Sequence, residues 1–191
     1  MQRSGFLCCM KNIFRFISIF LIAGMPINAI QAQDKLSIDL AAIRNMHSEL
    51  NGLNISSFYH FNERLSAGIE MNRFFPITRI IGEERTELSA WDFDLNFHYL
   101  CPLYKKLKWY PIAGLSHTSE KETIETGNLL YRATEKFYSA NAGAGILLEW
   151  GHWAPHVEYL FTWGKLNQQF LLAGMSYEIS WGKEQKKKGK E

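Results

Sequence analysis

The feature that most constrains the fold is a two-residue alternation in the stretch LSAWDFDLNFHYL, residues 88–100. The odd-numbered positions are Trp91, Phe93, Leu95, Phe97 and Tyr99, and the even-numbered positions are Asp92, Asp94, Asn96 and His98. Because successive side chains of a β-strand point to opposite faces, this pattern predicts a strand with one apolar and one acidic face. Either the apolar face lines a dry core and the acids meet water, or the apolar face meets lipid and the acids lie inside a closed barrel.

The N-terminal region has the three-part layout of a secretory signal. Lys11 and Arg15 precede an uncharged run over residues 16–27, and the small-residue sequence AIQA follows. This run is too short to cross a bilayer as a helix, which needs about 20 apolar residues. We therefore expect residues 1–32 to be a cleaved signal peptide, with a start at Met10 as a further hypothesis.

The expected mature chain carries little net charge. Residues 33–181 hold 13 basic and 17 acidic side chains, and residues 182–191 form a tail with five Lys and two Glu. This balance gives no electrostatic argument for a nucleic-acid partner, and we interpret the tail as a solvated end. Only Cys101 remains after removal of the signal peptide, so we expect no intrachain disulfide in this exported protein.

Most of the mature chain alternates in a similar way, although residues 53–61 are aromatic-rich and less regular. The other alternating segments are residues 35–43, 53–61, 65–72, 108–117, 136–150, 155–163 and 169–181. With 88–100 they make eight predicted strands, and Pro111 predicts a bulge or a strand start in the fifth. Two connections, 75–87 and 118–135, are long and polar, whereas the alternate ones are short. Short turns at one end and long loops at the other are typical of an outer-membrane barrel.

Three features favour lipid rather than water around the barrel. Several strands have the length of about ten residues that a tilted strand needs to cross an apolar band of about 25 Å. Small residues such as Gly68, Gly143 and Gly145 suit the inside of a narrow barrel. Aromatic residues crowd the strand ends, where Tyr and Trp prefer the bilayer interface. The aromatic girdle that we expect there consists of Tyr99, Trp109, Trp150, Trp163, Tyr177 and Trp181.

Residues 35–181 resemble the small eight-stranded outer-membrane β-barrel proteins of the OmpA/OmpX type. The resemblance rests on YPIAGLS (110–116), YSANAGAGI (138–146), PHVEYLFTW (155–163) and the aromatic Trp181 at the end of the last strand. It implies that residues 33–181 form an all-β, eight-stranded antiparallel up-and-down transmembrane barrel in the outer membrane of a Gram-negative-type bacterium. It also implies a monomer without cofactor that contacts outer-membrane lipid and lipopolysaccharide and is folded by the barrel-insertion machinery. In that family the terminal aromatic residue usually ends the chain, whereas residues 182–191 follow it here.

The polar residues at alternate positions of each strand would lie inside such a barrel. The titratable residues predicted there are Glu70, Asp92, Asp94, His98, Glu149, His156, Glu158 and Glu178. An acidic interior is either a hydrated hydrogen-bond network, which is our prediction, or a cavity that binds protons or cations. His152 and His156 are four residues apart without a third ligand, so we expect no metal site.

Our functional prediction is a non-enzymatic outer-membrane protein with a structural or surface-binding role through the loops 75–87 and 118–135. One alternative is an enzyme similar to outer-membrane lipid A deacylases, which use a His-x-Ser pair and a downstream Glu. His117, Ser119 and Glu122 are the candidates, although Glu120 stands where that family commonly has Asn. A second alternative is a soluble periplasmic lipocalin-like carrier with an apolar cavity.

Overall fold

The computed structural model describes residues 35–82, 84–127 and 129–181 and is built from ten β-strands. They are β1 (Lys35–Asn45), β2 (Asn51–His60), β3 (Leu65–Phe74), β4 (Ile77–Ile81), β5 (Glu84–Tyr99), β6 (Cys101–Tyr104), β7 (Leu107–Thr126), β8 (Leu129–Leu148), β9 (Trp153–Gly164) and β10 (Gln168–Ser180). The predicted signal peptide and the lysine-rich tail lie outside the described residues. Within the described ranges, no helix has the length and apolarity needed to cross a membrane.

Eight of these strands close into an antiparallel barrel in chain order. The ring runs β1, β2, β3, β5, β7, β8, β9 and β10, and β10 pairs with β1 over the full length from Lys35↔Ser180 to Asn45↔Phe170. Closure satisfies the backbone groups of every strand in the ring, which is what a sheet in hydrocarbon requires. The prediction of an eight-stranded up-and-down barrel is therefore confirmed.

The two remaining strands continue barrel strands past a break. Strand β4 follows β3 after Pro76 and pairs with β5, and β6 follows β5 after Leu100 and pairs with β7. We call the end of the barrel where β1 begins and β10 ends the terminus end, and the opposite end the hairpin end.

A four-stranded sheet projects from the hairpin end. This sheet extension consists of β4, residues 84–90 of β5, residues 120–126 of β7 and residues 129–135 of β8, joined through the pairs Ile77↔Leu88, Glu84↔Thr126 and Thr126↔Leu129. The expectation of polar loops at 75–87 and 118–135 was therefore wrong. Gly82 and Gly127 have φ of 64° and 58°, so each supplies the left-handed turn that folds its segment back as a hairpin.

The prediction of a bulge or a strand start at Pro111 was also wrong. Strand β7 runs through Pro111 in continuous register with β8. On its other side, pairing with β5 stops at Ile112 and pairing with β6 resumes at Trp109. The missing N–H of Pro111 falls in this gap, so the ladder loses no hydrogen bond there. The irregularity lies instead in β6, between Pro102 and Tyr104.

The alternation seen in the sequence separates an apolar outside from a polar inside. Trp91, Phe93, Leu95 and Phe97 are 37–47 % exposed on the outer surface, whereas Asp92, Asp94, Asn96 and His98 are at most 8 % exposed. The same division holds on the other barrel strands, where Ile38, Leu40, Ile69 and Val157 are exposed. A soluble lipocalin-like carrier would need the opposite arrangement, with an apolar cavity and a polar outside.

Side chains fill the interior of the barrel. At the hairpin end, Ile43, Leu50, Phe74, Phe170 and Leu172 form a buried apolar cluster, in which the ring centroids of Phe74 and Phe170 are 5.8 Å apart. Polar residues occupy much of the remaining interior, together with apolar side chains such as Ile112, Leu160 and Tyr110.

Nearer the terminus end, the ring of Tyr110 lies directly over Gly145, where a Cβ atom would overlap it. The small residue at this position makes room for a large side chain on the neighbouring strand.

Candidate functional site

Six of the eight predicted interior residues are buried inside the barrel: Glu70, Asp92, Asp94, His98, His156 and Glu158. The other two, Glu149 and Glu178, lie at the rim of the terminus end. Glu149 follows the last residue of β8, and its Oε1 is 2.5 Å from Nζ of Lys108. Glu178 is half-buried, with its Oε2 2.5 Å from Nζ of Lys35. These two carboxylates pair with rim lysines because the strands end there.

A network of asparagines and carboxylates crosses the middle of the barrel. Nδ2 of Asn54 donates to Oε2 of Glu70 at 3.0 Å and to Oδ1 of Asn72 at 2.7 Å, and Nδ2 of Asn96 donates to Oε1 of Glu70 at 2.7 Å. Nδ2 of Asn72 in turn donates to Oδ2 of Asp94 at 2.9 Å. The amides thus satisfy both oxygens of Glu70. Our sequence reasoning singled out only titratable groups and missed these asparagines, although their parity had marked them as inward-facing.

A small polar cavity lies in the interior near the terminus end. It has a volume of about 50 Å³, and its lining includes Asp39, His60, Glu70, His98, Tyr110 and Glu158. The hydroxyl of Tyr110 donates to Oε1 of Glu158 at 2.5 Å, and Oγ of Ser176 donates to Oδ2 of Asp39 at 2.7 Å. Nδ1 of His156 is 3.3 Å from the same Asp39 oxygen. Asp39 was missed as a site residue, although the polar parity of β1 pointed to it.

Two polar atoms of this cavity are buried without a hydrogen-bond partner among the described residues. They are Oδ1 of Asp39 and Nε2 of His98. Both side chains line the cavity, and Asp39 and His98 are 5 % and 8 % exposed. A buried polar atom without a partner costs about 1–3 kcal/mol, so each atom favours a hydrogen-bonding group in the cavity.

The interior is acidic. Of the described residues, the buried carboxylates are Asp39, Glu70, Asp92, Asp94 and Glu158, the buried imidazoles are His60, His98 and His156, and no Lys or Arg is buried. Since a buried charge is costly unless it is paired, this imbalance favours protonation of some acids or the presence of a cation.

The described residues contain no group of three or more His, Cys, Asp or Glu side chains arranged to hold a metal ion. His152 and His156 are separated by the barrel wall. His152 lies against Tyr177, with ring centroids 6.0 Å apart, whereas His156 faces the interior beside Asp39.

The structure does not assemble the candidate deacylase site. His117 lies on the outer surface against Tyr138 and Trp91, with ring centroids 4.7 Å and 5.8 Å away. Ser119, on the same face, is paired across strands with Trp91 and Lys136. Glu122 has the opposite parity and therefore faces the other side of β7. None of these cross-strand neighbours is a carboxylate that could orient His117 as a base.

The residues expected in the aromatic girdle occupy both ends of the barrel. Tyr99, Trp109, Trp150, Tyr177 and Trp181 lie at or beyond strand ends of the terminus end, and Trp163 lies at the hairpin end. All are exposed except Tyr99, which is partly buried. Trp91 and Tyr138, which were not among the expected girdle residues, are also exposed and lie at the hairpin end with Trp163.

The outward face of the sheet extension, with the adjoining end of β8 in the barrel, carries a cluster of cations that begins at the level of Trp91. Lys121 and Lys136 lie on adjacent strands, with Lys121 paired to Thr134 and Lys136 paired to Ser119. Arg132, paired to Thr123, flanks Lys121 on the other side. Diagonal neighbours on adjacent strands are about 7–8 Å apart, so the three side chains share one patch, whose edge on β5 is Glu87, paired to Thr123. All three are exposed, and no described carboxylate lies within 4.0 Å of any of them. We call Lys121, Arg132 and Lys136 the cation cluster.

Comparison with known proteins agrees with this architecture. No protein-family model and no curated protein matches the sequence, so the similarity is one of structure. The N-terminal β-barrel domain of OprF from Pseudomonas aeruginosa has 16 % identity and a TM-score of 0.59, covering 78 % of this chain and 100 % of that one. A major outer-membrane protein of Thermus thermophilus has 8 % identity and a TM-score of 0.64, covering 76 % and 99 %.

A third similar structure contains a ligand. Ail, the attachment invasion locus protein of Yersinia pestis, in complex with the heparin analogue sucrose octasulfate, has 13 % identity and a TM-score of 0.54, covering 76 % of this chain and 97 % of that one. At these identities the likeness establishes the fold and not the activity. By its closed ring of eight strands, its apolar outer belt and these structural neighbours, the chain has the fold of the small eight-stranded outer-membrane β-barrels.

Proposed function

We propose that this chain is a non-enzymatic, integral outer-membrane protein that binds polyanionic carbohydrate through its sheet extension. The observation that carries the proposal is the cation cluster on the outward face of the extension. Its three side chains have no described carboxylate partner, and the hydroxyl-bearing Ser89 and Thr134 flank Lys121 in the sheet. Cations beside hydroxyl groups are suited to sulfate or phosphate groups on a sugar.

The position of the cation cluster supports the same proposal. In this proposal Trp91, Tyr138 and Trp163 mark the bilayer interface at the hairpin end. The cation cluster begins with Lys136 at the level of Trp91, since both pair with Ser119, and extends four residue pairs further to Arg132, which pairs with Thr123. The barrel spans the outer membrane in this proposal, with the hairpin end outside the cell. Cations at that height would meet the phosphorylated sugars of lipopolysaccharide or a soluble polyanion. The structural similarity to Ail, whose structure was solved with a sulfated sugar, agrees with this chemistry.

The test compares two sets of charge removals in the barrel refolded in detergent. The first variant is Lys121→Gln/Arg132→Gln/Lys136→Gln. The matched control is Arg64→Gln/Lys105→Gln/Lys106→Gln, which removes three exposed cations at the terminus end. We expect binding of sucrose octasulfate or purified lipopolysaccharide to weaken at least tenfold in the first variant only, and binding by the unmodified protein to weaken as salt rises.

Each outcome has a definite meaning. Binding of sucrose octasulfate would assign a soluble polyanion, and binding of lipopolysaccharide alone would assign the lipid. Equal affinities for the three proteins, or equal losses in both variants, would contradict the role of the cation cluster.

A further inference from the structure

The polar cavity near the terminus end is acidic and extends to the rim of the barrel. Its inner part is lined by three carboxylates, Asp39, Glu70 and Glu158. Glu178 lines it at the rim, where Oε2 of this residue is 2.5 Å from Nζ of Lys35. No Lys or Arg of the described residues belongs to the lining. The three inner carboxylates therefore share a small space without a permanent cation among the described side chains.

The imidazoles of the lining offset only part of this negative charge. Nδ1 of His156 is 3.3 Å from Oδ2 of Asp39, so a protonated His156 compensates that carboxylate. Nε2 of His60 is 3.1 Å from Oγ of Ser37, and none of the ion pairs among the described residues includes His60 or His98. Because a buried charge without a counter-charge is costly, the inner part of the cavity favours one further positive charge.

Two atoms of the lining show where such a charge would be held. Oδ1 of Asp39 and Nε2 of His98 have no hydrogen-bond partner among the described residues, although both side chains are more than nine-tenths buried. A carboxylate oxygen only accepts hydrogen bonds, and Nε2 accepts one when the imidazole carries its proton on Nδ1. A cation with N–H donors supplies both the missing charge and the missing partners.

The cavity suits an ammonium ion in size and in surroundings. A group the size of a water molecule needs about 10–15 Å³, so a volume of about 50 Å³ holds one ammonium ion with water beside it. The rings of Phe58 and Tyr110 belong to the lining and lie against His98, with ring centroids 4.1 Å and 5.0 Å from its own. Aromatic faces of this kind attract a cation that has lost part of its water.

The same donors do not suit a metal ion. Metal sites need several ligands that converge on one point at about 2.0–2.6 Å. The part of the chain that the structure describes contains no group of three His, Cys, Asp or Glu side chains placed in this way. An ammonium ion needs only acceptors at hydrogen-bond distance, which Asp39 and His98 provide.

We propose that this cavity binds one small ammonium-type cation from solution, held by hydrogen bonds to Oδ1 of Asp39 and Nε2 of His98. Glu70 and Glu158 supply the negative potential that holds the ion, and Glu178 marks the side from which it enters. The ion stabilises the folded barrel because it binds the folded state and not the unfolded chain. This site is independent of the cation cluster, which lies at the hairpin end.

The test measures how salts of different cations change the stability of the full mature chain. Denaturant unfolding in detergent micelles is followed at one pH and one ionic strength in ammonium, potassium or tetramethylammonium chloride. Potassium resembles ammonium in size but has no N–H donor, and tetramethylammonium has none and is larger. We expect only ammonium to stabilise the barrel, with an unfolding constant that falls about tenfold when the ammonium concentration is about ten times its Kd.

A matched pair of variants locates the effect. Asp39→Asn should abolish the stabilisation by ammonium, because it removes the negative charge at the binding atom. Asp92→Asn removes a carboxylate that is equally buried but does not line the cavity, so it should leave the stabilisation unchanged.

A second readout uses the unmodified chain and covers the case in which Asp39→Asn fails to fold. As ammonium chloride is added, the imidazole nitrogen signals of His98 should shift in the NMR spectrum, and those of the outward-facing His117 should not. Equal stabilisation by potassium and ammonium, or an ammonium effect that survives Asp39→Asn, would overturn the proposal. So would a His98 signal that does not respond to ammonium, since water alone would then occupy the cavity.

Discussion

Replacing Leu95 with arginine is expected to destabilise the barrel in a lipid bilayer by about 2–4 kcal/mol. Leu95 lies midway along the barrel part of β5, between Ile69 and Leu115, and its side chain points outward with 44 % exposure. An arginine there would have to leave the hydrocarbon or draw water into it. The free energy of unfolding in phospholipid vesicles, obtained from denaturant titration, measures the effect.

Ile80→Arg is the matched control for this prediction. Ile80 lies on the sheet extension and is 72 % exposed, so its exposed apolar surface is at least as large. We expect a loss of at most about 1 kcal/mol, because the new side chain is exposed to water and the main cost is repulsion by Arg85, which is paired with position 80 on β5. If the two variants lost the same stability, the outer belt around Leu95 would not be in contact with lipid.

Replacing Glu70 with alanine is expected to destabilise the barrel by about 2–4 kcal/mol. The change removes the acceptors of Asn54 and Asn96, which are 2 % and 0 % exposed and are therefore left with unpaired donors. The cavity left by the side chain adds to the cost. Denaturant unfolding in detergent micelles or vesicles measures the loss.

Glu70→Gln tests the reason for this effect. Glutamine keeps the volume and one acceptor oxygen, but it turns an amide donor toward one of the two asparagines. We expect its cost to fall between zero and that of Glu70→Ala. A Glu70→Ala variant as stable as the unmodified barrel would show that the network contributes nothing to stability.

The architecture could be predicted from the sequence because the two-residue period records which side of the wall each residue faces. The alternation of apolar residues such as Phe93 with polar residues such as Asp94, together with the strand lengths and the aromatic residues at strand ends, predicted a closed barrel with a polar interior. The hairpins around Gly82 and Gly127 were interpreted as loops because they carry many charged residues, and because their apolar residues, such as Ile80, Ile81, Leu129 and Leu130, occupy both faces of the strands. Such strands lack the alternation that marks a buried face.

The sites were less predictable, because they depend on which strands lie opposite one another across the barrel. Parity alone excludes Glu122 from the face of His117 and Ser119, and this could have been seen in the sequence. The meeting of Asp39 on β1 with His156 on β9 depends on the closing pair β1–β10, which no local pattern encodes. The unpaired atoms of Asp39 and His98 become visible only when every partner is placed.

The central claim is that the outer belt of the barrel touches hydrocarbon. Its most direct test is spin labelling of single cysteines, one at a time, at positions 93, 95, 97 and 80 in a Cys101→Ser background, reconstituted in phospholipid vesicles. Labels at 93, 95 and 97 are predicted to collide often with oxygen, which concentrates in hydrocarbon, and rarely with a water-soluble nickel chelate, whereas the label at 80 shows the reverse. Frequent collisions of the chelate with the labels at 93, 95 and 97 would place those residues in water and contradict the membrane barrel.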